Sequence, residues 1–514
     1  MTRLLGKQLN ANGAISRWLA FGAGLLFPLA FAPFYYALVG PAALALLFLL
    51  WVSASSKQSA WLGFLFGVGS FGVGVSWVYV SLHNYGNMPA LLAVGVTGVF
   101  VVILSCYTAA AGFVQGKLRR LPVVMQLTVL MPTLWILTEW LRGWLLTGFP
   151  WLYLGYSQID TPLAGFAPLA GVFGVGMLSA VTAGAGAWFF SAKGAARVVA
   201  VGIIMVVVLS GLYAGRIDSV VPTGEPLKVA VIQNNVSLTD KWHHSGAPSI
   251  KARYLKASGS VGDVDLIVWP EAALPEYVDR LMPALMHQLS RYQADFIIGL
   301  LERRQQAGRS SVFNSALGVG ENIFLYRKQQ LVIFGEYLPL RPLLGWLLHH
   351  LDIPASDFTS WQDPQAPMYL AGQQVGVTIC YEDAFPSLIR RSLPEATMLV
   401  NISEDAWFGN SLAPHQRLQM ARFRALESAR PFVRASNNGL SALIDGYGNV
   451  LQQAPQFSAV VLSGELQPST GSTLYMRYGN DPLLYGLLLM LIAAVVLNYL
   501  AGKAKSNIDC DPAP

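Results

Sequence analysis

Long apolar runs separated by short polar junctions dominate the first 215 residues of the chain. Each run is close to the roughly 20 residues that a helix needs to cross a bilayer. Seven runs precede a long polar region and one follows it. They lie near residues 15–34, 37–54, 59–82, 88–115, 122–146, 164–190, 196–214 and 482–501. The pattern predicts a polytopic α-helical membrane protein with about eight spans.

The basic residues are distributed unevenly over the junctions between these runs. The junctions around residues 34–36 and 83–87 carry no Lys or Arg, whereas the alternate junctions and both ends of the chain do. The basic positions are Arg3, Lys7, Arg17, Lys57, Lys117, Arg119, Arg120, Lys193, Arg197, Lys503 and Lys505. Because Lys and Arg accumulate on the cytoplasmic side, the asymmetry predicts that the long polar region lies outside the cytoplasm.

The polar region, residues 216–478, combines short apolar runs with stretches of helical periodicity. The predicted strands are Leu227 to Gln233, Asp265 to Trp269, Asp295 to Leu301, Val312 to Val319, Gln374 to Cys380, Thr397 to Ile402, Phe432 to Ser436, Leu440 to Ile444 and Ala459 to Glu465. The predicted helices are Pro248 to Gly259, Arg280 to Gln293 and His415 to Ala429. Strands covered by helices indicate a layered α/β domain. We therefore expect a membrane domain at 1–215, this domain at 216–478, and a last span with a short tail at 479–514.

The composition supports a membrane protein and argues against other classes. The chain is 54% hydrophobic and 12% charged, whereas soluble domains are roughly 25% charged. The net charge of +6 could suggest nucleic acid, but no basic stripe is interleaved with aromatic residues. No CxxC, HExxH or His/Cys cluster occurs either. We expect no nucleic-acid partner, no metal and no cofactor.

One cysteine stands at the end of a predicted buried strand. The apolar run 376–379 ends in Cys380 and then turns acidic. Of the three cysteines, the predicted topology puts Cys106 in a span and Cys510 in the cytoplasmic tail. Cys380 then has no disulfide partner within the chain on its own side of the membrane. It is the candidate nucleophile, and the alternative is a small buried core residue.

A thiol with the ordinary pKa of about 8.5 needs a nearby base or cation to act as a nucleophile. The polar region has six histidines, but none lies beside a predicted strand end with an orienting acid. Glu271 ends a predicted strand directly after a proline, and Lys328 and Glu336 flank a short apolar run. These carboxylates and this lysine are better candidate partners for Cys380 than a histidine.

Three further residues are candidates for contact with a lipid or for a lid. Arg142 follows Glu139 in a segment rich in aromatic residues; it either snorkels in an interfacial aromatic belt or lines a lipid-access cavity. Trp242 lies at a substrate mouth or is a packed surface residue. Trp346, in the apolar stretch 343–348, belongs to a lid that dips into the outer leaflet or to a buried core helix.

Three motifs follow one another along the polar region. They are Trp269-Pro270-Glu271, Lys328 with Phe334-Gly335-Glu336, and Cys380-Tyr381-Glu382. In this order they are similar to the Glu-Lys-Cys constellation of the nitrilase, or carbon-nitrogen hydrolase, superfamily. With apolar runs on both sides, nearly the whole chain resembles the apolipoprotein N-acyltransferase family, a membrane-embedded branch of that superfamily. Further matching segments are 72–81, 146–151, 401–409 and 434–439.

The resemblance implies a fold and roles for individual residues. The polar region would be a nitrilase-like α-β-β-α sandwich. Glu271 would be the general base, Lys328 would stabilise the oxyanion, and Cys380 would carry an acyl thioester. The supporting residues would be Glu336, Tyr381 and Glu382. Small departures from the family pattern are Ile333, where proline is common, and Glu404, where asparagine is common.

The resemblance also implies a reaction, two substrates and a location. A phospholipid would donate an acyl chain, and the N-terminal S-diacylglyceryl-cysteine of an apolipoprotein would accept it, in the last step of lipoprotein maturation. The enzyme would be a multi-pass monomer of the bacterial inner membrane with its catalytic domain facing the periplasm. A membrane-anchored amidase or nitrilase acting on small amides is the alternative; a transporter and a non-catalytic receptor are less consistent with the motifs.

Overall fold

The computed structural model describes residues 13–217, 220–242, 247–306, 309–333, 335–337 and 358–508. Two compact units divide the chain. The helical unit takes its described residues from Met1–Ser76, Val94–Asp218 and Tyr478–Pro514. The sandwich unit takes its described residues from Trp77–Ala93 and Ser219–Arg477. The sandwich unit therefore includes a short piece of chain, Trp77–Ala93, that overlaps the end of one predicted apolar run and the start of the next.

The helical unit is built from the predicted apolar runs. Its main helices are Ala14–Leu26, Val39–Val52, Ser56–Gly74, Ala90–Lys117, Met131–Arg142, Ala167–Ser191, Ala195–Ala214 and Asp481–Ile508. Shorter turns join them at Phe27–Ala30, Val123–Met125, Gln126–Leu130, Leu145–Thr147, Leu154–Gln158 and Pro162–Phe166. Their sequences contain few charged residues, as expected where backbone groups are satisfied within each helix and side chains face lipid or one another.

Among the described residues, five helices are long and apolar enough to cross a bilayer. They are Ala90–Lys117, Val123–Arg142, Pro162–Ser191, Ala195–Ala214 and Asp481–Ala504. Ser56–Gly74 and Trp77–Tyr85 would make a sixth span together, but the chain bends by 47° between them. Ala14–Ala30 and Val39–Val52 are apolar but shorter. Every predicted run therefore contains a helix, while the count of about eight spans stays a prediction.

Small residues allow these helices to approach closely, as is common in membrane bundles. A Cβ atom added at Gly63 would lie 2.4 Å from the carbonyl oxygen of Thr108. One added at Gly112 would lie 2.3 Å from the carbonyl oxygen of Ser59. Backbone rather than a movable side chain is the obstacle in both cases, so any larger residue would push the two helices apart.

The sandwich unit is organised around two six-stranded sheets. Its strands are β1 Val220–Pro222, β2 Leu227–Gln233, β3 Leu266–Val268, β4 Asp295–Gln306, β5 Arg309–Val319, β6 Ile323–Arg327, β7 Met368–Leu370, β8 Gln373–Ile379, β9 Met398–Ser403, β10 Phe432–Ser436, β11 Ala442–Ile444, β12 Val450–Gln453, β13 Val460–Leu466 and β14 Ser469–Gly471. One sheet has the order β13-β2-β3-β4-β5-β6, the other β12-β11-β10-β9-β8-β7, and β1 pairs with β14. The central pairs β2-β3, β3-β4, β8-β9 and β9-β10 are parallel.

The two six-stranded sheets pack face to face and are covered by helices outside. Their shared core joins Val229 and Val268 of the first sheet to Val377 and Val400 of the second. Helices Ala247–Gly259 and Val278–Leu289 cover the outer face of the first sheet, and Leu412–Ser428 covers that of the second. The remaining helical segments of this unit are Trp77–Val80, Ser81–Tyr85, Leu238–Trp242, Cys380–Ala384, Pro386–Ile389, Arg390–Ser392, Ala406–Phe408 and Leu474–Tyr478. The predicted α-β-β-α sandwich is thus confirmed.

All nine predicted strands and all three predicted helices of this region are present, with small shifts at their ends. Five short strands were not predicted, namely β1, β6, β7, β12 and β14. Three of them, β6, β7 and β12, are edge strands of the two six-stranded sheets. An edge strand buries less of its surface than a central strand, so its sequence need not contain a continuous apolar run.

The segment 77–93 packs against the loop that follows β9. The ring of Trp77 meets the ring of Phe408 edge to face, with 5.1 Å between their centroids. Tyr85 lies against Gly409, where an added Cβ would be 2.8 Å from the tyrosine oxygen. Gly409 also has a φ of +53°, which side chains rarely tolerate. Glycine is therefore required here by backbone conformation and by the tyrosine together.

Candidate active site

Cys380 begins a tight turn at the carboxyl end of β8. Its φ is +51°, a value that costs energy for any residue with a side chain. Two side chains hold this backbone by donating hydrogen bonds to the Cys380 carbonyl oxygen: Asn401 through Nδ2 at 3.0 Å and Arg417 through Nη2 at 2.6 Å. The strained turn is thus fixed from the neighbouring strand and from the covering helix.

Glu271 lies just beyond the carboxyl end of β3, and its carboxylate is buried. Its Oε1 accepts hydrogen bonds from Asn314 Nδ2 at 2.7 Å and from Lys328 Nζ at 3.4 Å. Its Oε2 accepts the backbone N–H of Glu404 at 2.8 Å. The Cys380 thiol also hydrogen-bonds to this carboxylate. Glu271 is therefore both fixed in place and within reach of the thiol proton.

Lys328 follows β6 directly, and its side chain is only 1% exposed. Its ammonium lies 2.9 Å from Glu336 Oε1 and 3.4 Å from Glu271 Oε1. Asn314 Nδ2, 3.0 Å from the same Glu336 oxygen, links the two carboxylates. We call Glu271, Asn314, Lys328 and Glu336 the base cluster. Asn314 was not predicted from the sequence. The signal that could have found it is an amide within the mostly apolar stretch Val312 to Val319 of β5.

Glu382 joins the Cys380 turn to the segment that carries Lys328. Its fully buried carboxylate accepts the Tyr326 hydroxyl at 2.9 Å and the backbone N–H groups of Ile379, Gln329 and Gln330 at 2.8, 2.6 and 3.1 Å. These hydrogen bonds hold the Cys380 turn against the segment that carries Lys328. Tyr381 packs edge to face on Phe385 with 4.9 Å between ring centroids.

Burial and neighbouring charges set the ionisation of the three central groups. Burial raises the pKa of Glu271, but Lys328 and the hydrogen bonds from Asn314 and Cys380 outweigh it and hold that pKa below its ordinary value. Burial lowers the pKa of Lys328, but Glu271 and Glu336 raise it above its ordinary value. Burial and Glu271 raise the pKa of the Cys380 thiol to about 12. The resting site therefore holds a carboxylate, an ammonium and a neutral thiol.

A second charged cluster also contacts Cys380, through Arg417. Arg417 pairs with Asp383 at 3.0 Å and with Asp405 at 2.8 Å, and Arg434 pairs with the same two carboxylates at 2.9 and 2.7 Å. We call these four residues the charge quartet. All four are buried. Burial raises the pKa of Asp405, but Arg434 and Arg417 outweigh it and hold that pKa below its ordinary value.

Comparisons with known proteins agree with this architecture. Residues 23–185 match a model described as the apolipoprotein N-acyltransferase N-terminal domain, and residues 228–475 match the carbon-nitrogen hydrolase model. An apolipoprotein N-acyltransferase of Methylococcus capsulatus is 41% identical over 90% of this chain and 92% of its own. The chain belongs to the apolipoprotein N-acyltransferase family. A second relative, from Nitrosomonas europaea, is 39% identical over 96% of this chain and 100% of its own.

Among solved structures, a carbon-nitrogen hydrolase from Helicobacter pylori matches 47% of this chain and 90% of its own, at 16% identity and a TM-score of 0.37. Glu404 departs from the pattern common in the family, and the structure gives it a partner. Lys241 pairs with the Glu404 carboxylate and also donates to the Glu271 carbonyl oxygen at 3.1 Å. This buried pair thus supports the loop of the predicted base.

The predicted lipid-contact residues of this family member lie in different situations. The backbone of Trp242 ends the helix Leu238–Trp242, but its side chain lies outside the described residues, and so does Trp346. Arg142 is buried in the helical unit, where it donates to the carbonyl oxygens of Phe149 and Trp151. Its guanidinium lies 5.1 Å from the ring centre of Phe71.

The burial of Arg142 argues against one of its two interpretations. A snorkelling arginine would extend its charge to the membrane surface, whereas the Arg142 side chain is buried in the helical unit. Arg142 and Glu139 instead line a small cavity in the helical unit. Glu139 accepts the Trp135 indole N–H and the Leu154 backbone N–H, both at 2.9 Å. Contact between this cavity and lipid stays a prediction.

Cys106 is an exposed free cysteine, and Cys510 lies outside the described residues.

Proposed function

We propose that this chain is an acyltransferase that moves an acyl chain from a phospholipid to the N-terminal S-diacylglyceryl-cysteine of an apolipoprotein. The observation that supports this most directly is the meeting of Glu271, Lys328 and Cys380 in one buried cluster. The second observation that supports the proposal is the 41% identity to a named apolipoprotein N-acyltransferase over 90% of the chain. The buried thiol, base and cation supply the three functions that acyl transfer requires.

In the first half-reaction, Glu271 takes the Cys380 proton while Sγ attacks the carbonyl carbon of a phospholipid ester. The ammonium of Lys328 stabilises the oxyanion of the tetrahedral intermediate. The intermediate collapses with cleavage of the ester C–O bond, and the departing lysophospholipid oxygen receives the proton from Glu271. The products are an acyl thioester on Cys380 and a lysophospholipid, so atoms and charge balance.

In the second half-reaction, the α-amine of the acceptor cysteine attacks the thioester carbonyl. Glu271 takes a proton from the attacking amine, and Lys328 again stabilises the oxyanion. Collapse breaks the C–S bond, and the proton on Glu271 returns to the Cys380 thiolate. An amide forms, the thiol is restored, and the scheme is ping-pong because the first product leaves before the acceptor reacts.

The surrounding residues support this chemistry without taking part in bond changes. Glu336 fixes the Lys328 ammonium, and Asn314 fixes the carboxylates of Glu271 and Glu336. Glu382 fixes the Cys380 turn, with Tyr381 packed beside it. We place the enzyme in the bacterial inner membrane, with residues 216–478 facing the periplasm, because the basic residues lie at alternate junctions. Trp242 and Trp346 are proposed to contact substrate or form a lid, Arg142 to border a lipid-access cavity, and the enzyme to act as a monomer.

The test is an intact-mass and peptide-mapping measurement on detergent-purified protein incubated with one defined phospholipid. We expect a fatty-acyl mass on the Cys380 peptide that is labile to hydroxylamine. Cys380→Ala should abolish it, and the matched variant Cys106→Ala should retain it, because Cys106 is the other free cysteine among the described residues. Adding a lipopeptide with an N-terminal diacylglyceryl-cysteine should move the acyl group to its amine.

The anchored-amidase alternative predicts a different outcome of the same experiment. Active protein that gave no acyl adduct but hydrolysed small amides through Cys380 would overturn the acyltransferase proposal. An adduct that formed on Cys380 but passed to water and never to the amine would leave a lipase-like enzyme and would overturn the acceptor half of the proposal.

A further inference from the structure

Arg417 contacts the reactive sulfur, and the mechanism above does not use it. Its Nη1 lies 3.6 Å from Cys380 Sγ, while its Nη2 donates to the Cys380 carbonyl oxygen at 2.6 Å. The side chain is 1% exposed. The carbonyl contact explains how the strained backbone is held, but the sulfur contact is not needed for that purpose. A cation in contact with a buried thiol favours the negatively charged thiolate over the neutral thiol.

The fold fixes this guanidinium rigidly. Arg417 lies in the helix Leu412–Ser428, whose first turn is capped by the Ser411 hydroxyl accepting the Ala413 N–H at 3.4 Å. Asp405 and Asp383 each bind one terminal nitrogen of Arg417. This fork geometry orients the guanidinium plane, which a lysine could not reproduce.

Arg434 provides an internal comparison. It binds the same two carboxylates as Arg417 and is as deeply buried. It also donates a hydrogen bond to Asn401 Oδ1 at 3.2 Å, and among the described residues it donates none to the sulfur. The two arginines therefore share their structural role in the charge quartet and differ in their relation to Cys380.

We propose that Arg417 is a catalytic residue that stabilises negative charge on Cys380 Sγ, both when the thiol loses its proton and when the thioester releases the thiolate. Arg417 keeps its own protons throughout and forms no covalent bond. Its effect on the thiol belongs to the protein alone, whereas its part in thioester release rests on the proposed function. Around the sulfur, Glu271 and Glu336 raise the thiol pKa, and Lys328 and Arg417 lower it.

The experiment measures alkylation of Cys380 by iodoacetamide, a neutral reagent, between pH 7 and 10, with the modified peptide quantified by mass spectrometry. Two charge-balanced variants are compared, Arg417→Gln with Asp383→Asn and Arg434→Gln with Asp383→Asn. Each removes one cation and one carboxylate from the charge quartet. Loss of Arg417 should raise the thiol pKa, so alkylation should be about tenfold slower at each pH. The Arg434 variant should stay within about threefold of the wild type.

Equal slowing of both variants would overturn the proposal, because Arg417 would then act only through the stability of the turn. If either double variant fails to fold, Arg417→Lys and Arg434→Lys decide, since both keep the buried charge. Lysine at 417 cannot contact the sulfur and the carbonyl oxygen as the fork does, so the same difference is expected. Unchanged alkylation in Arg417→Lys would then overturn it.

Alkylation uses no lipid, so the two proposals can fail separately. Wild-type protein that forms no acyl adduct refutes the proposed function, whatever the alkylation rates are. Equal alkylation rates in the Arg417 and Arg434 variants refute the role of Arg417, even if the wild type is acylated. If the proposed function and the proposed role of Arg417 are both right, the Arg417 double variant should also form the acyl adduct about tenfold more slowly than the Arg434 double variant.

Discussion

The base cluster and the charge quartet flank the same cysteine but differ in charge balance. The base cluster has one cation, Lys328, for two carboxylates, Glu271 and Glu336. The charge quartet has two arginines for two aspartates, and each arginine binds both aspartates. A balanced, fully paired buried cluster resists any change of protonation, whereas a cluster with an excess carboxylate is ready to accept a proton.

This difference in charge balance matches a difference in role between the two clusters. Glu271 accepts a hydrogen bond from the thiol, so the excess negative charge of the base cluster lies where the proposed mechanism moves a proton. In the charge quartet each carboxylate oxygen has a guanidinium partner. The quartet therefore does not take up a proton, and through Arg417 it holds the Cys380 turn. Arg417 is the one member of the charge quartet, among the described contacts, that also reaches the sulfur.

The largest effect should come from Glu271→Gln. The amide oxygen can still accept from Asn314 and Lys328, but it cannot take the thiol proton. General-base catalysis contributes roughly 10²- to 10⁴-fold, so adduct formation should slow by about 10³-fold. Glu336→Gln is the matched control, since it removes the other carboxylate bound to Lys328 and should slow the reaction far less. Equal losses in the two variants would contradict the assignment of the base.

The next effect should appear in stability when the charge quartet is broken. Arg434→Met leaves two buried aspartates short of a partner, which typically costs about 3–5 kcal/mol. A marked fall in the thermal unfolding midpoint in detergent is expected. Lys228→Met removes an exposed pair with Asp263 and should leave the midpoint unchanged. An unaltered midpoint in Arg434→Met would show that the charge quartet does not support the fold.

A smaller effect is expected from Asn314→Leu. This change removes the hydrogen bonds to Glu271 at 2.7 Å and to Glu336 at 3.0 Å. Hydrogen bonds to charged groups are worth about 1.5–3 kcal/mol, so adduct formation should slow by roughly tenfold or more. The alkylation rate of Cys380 in the same variant shows whether the thiol itself changed. A full wild-type rate of acylation would remove Asn314 from the base cluster.

The smallest change should be in the pH dependence of acylation. The pKa of Glu271 is below its ordinary value of 4.5, so the base is already ionised above that pH and is lost only as the pH falls through the lowered pKa. Acylation should therefore vary little between pH 6 and 8. Alkylation, which requires free thiolate, should rise about tenfold per pH unit in that range because the thiol pKa is about 12. An acylation rate that rose equally steeply would argue against proton removal by Glu271.

The sequence predicted those features that depend on local pattern. Cys380 and Glu271 follow short buried strands, and Gln416, Met420, Phe423 and Glu427 recur at helical spacing in a helix where the structure buries all four. These signals are contiguous, so no knowledge of distant contacts is needed to find them.

The charge quartet could not be predicted in the same way. The four residues of the charge quartet are spread over 51 positions of the chain, and each charged residue alone resembles a solvated surface position. Only the meeting of β9, β10 and the helix Leu412–Ser428 brings them together. The short edge strands were missed for a related reason, because their pairing partners rather than their own composition define them.

The sandwich unit is not one continuous stretch of chain, because the segment 77–93 belongs to it. Its Trp77 covers Phe408, yet more than 120 residues of the helical unit separate the segment from the next piece of the same unit. Excision of residues 219–477, or their exchange between relatives by a single pair of crossovers, would therefore separate Phe408 from its contact with Trp77. Any chimera that keeps the loop of Phe408 must also inherit the matching turn from between the membrane helices.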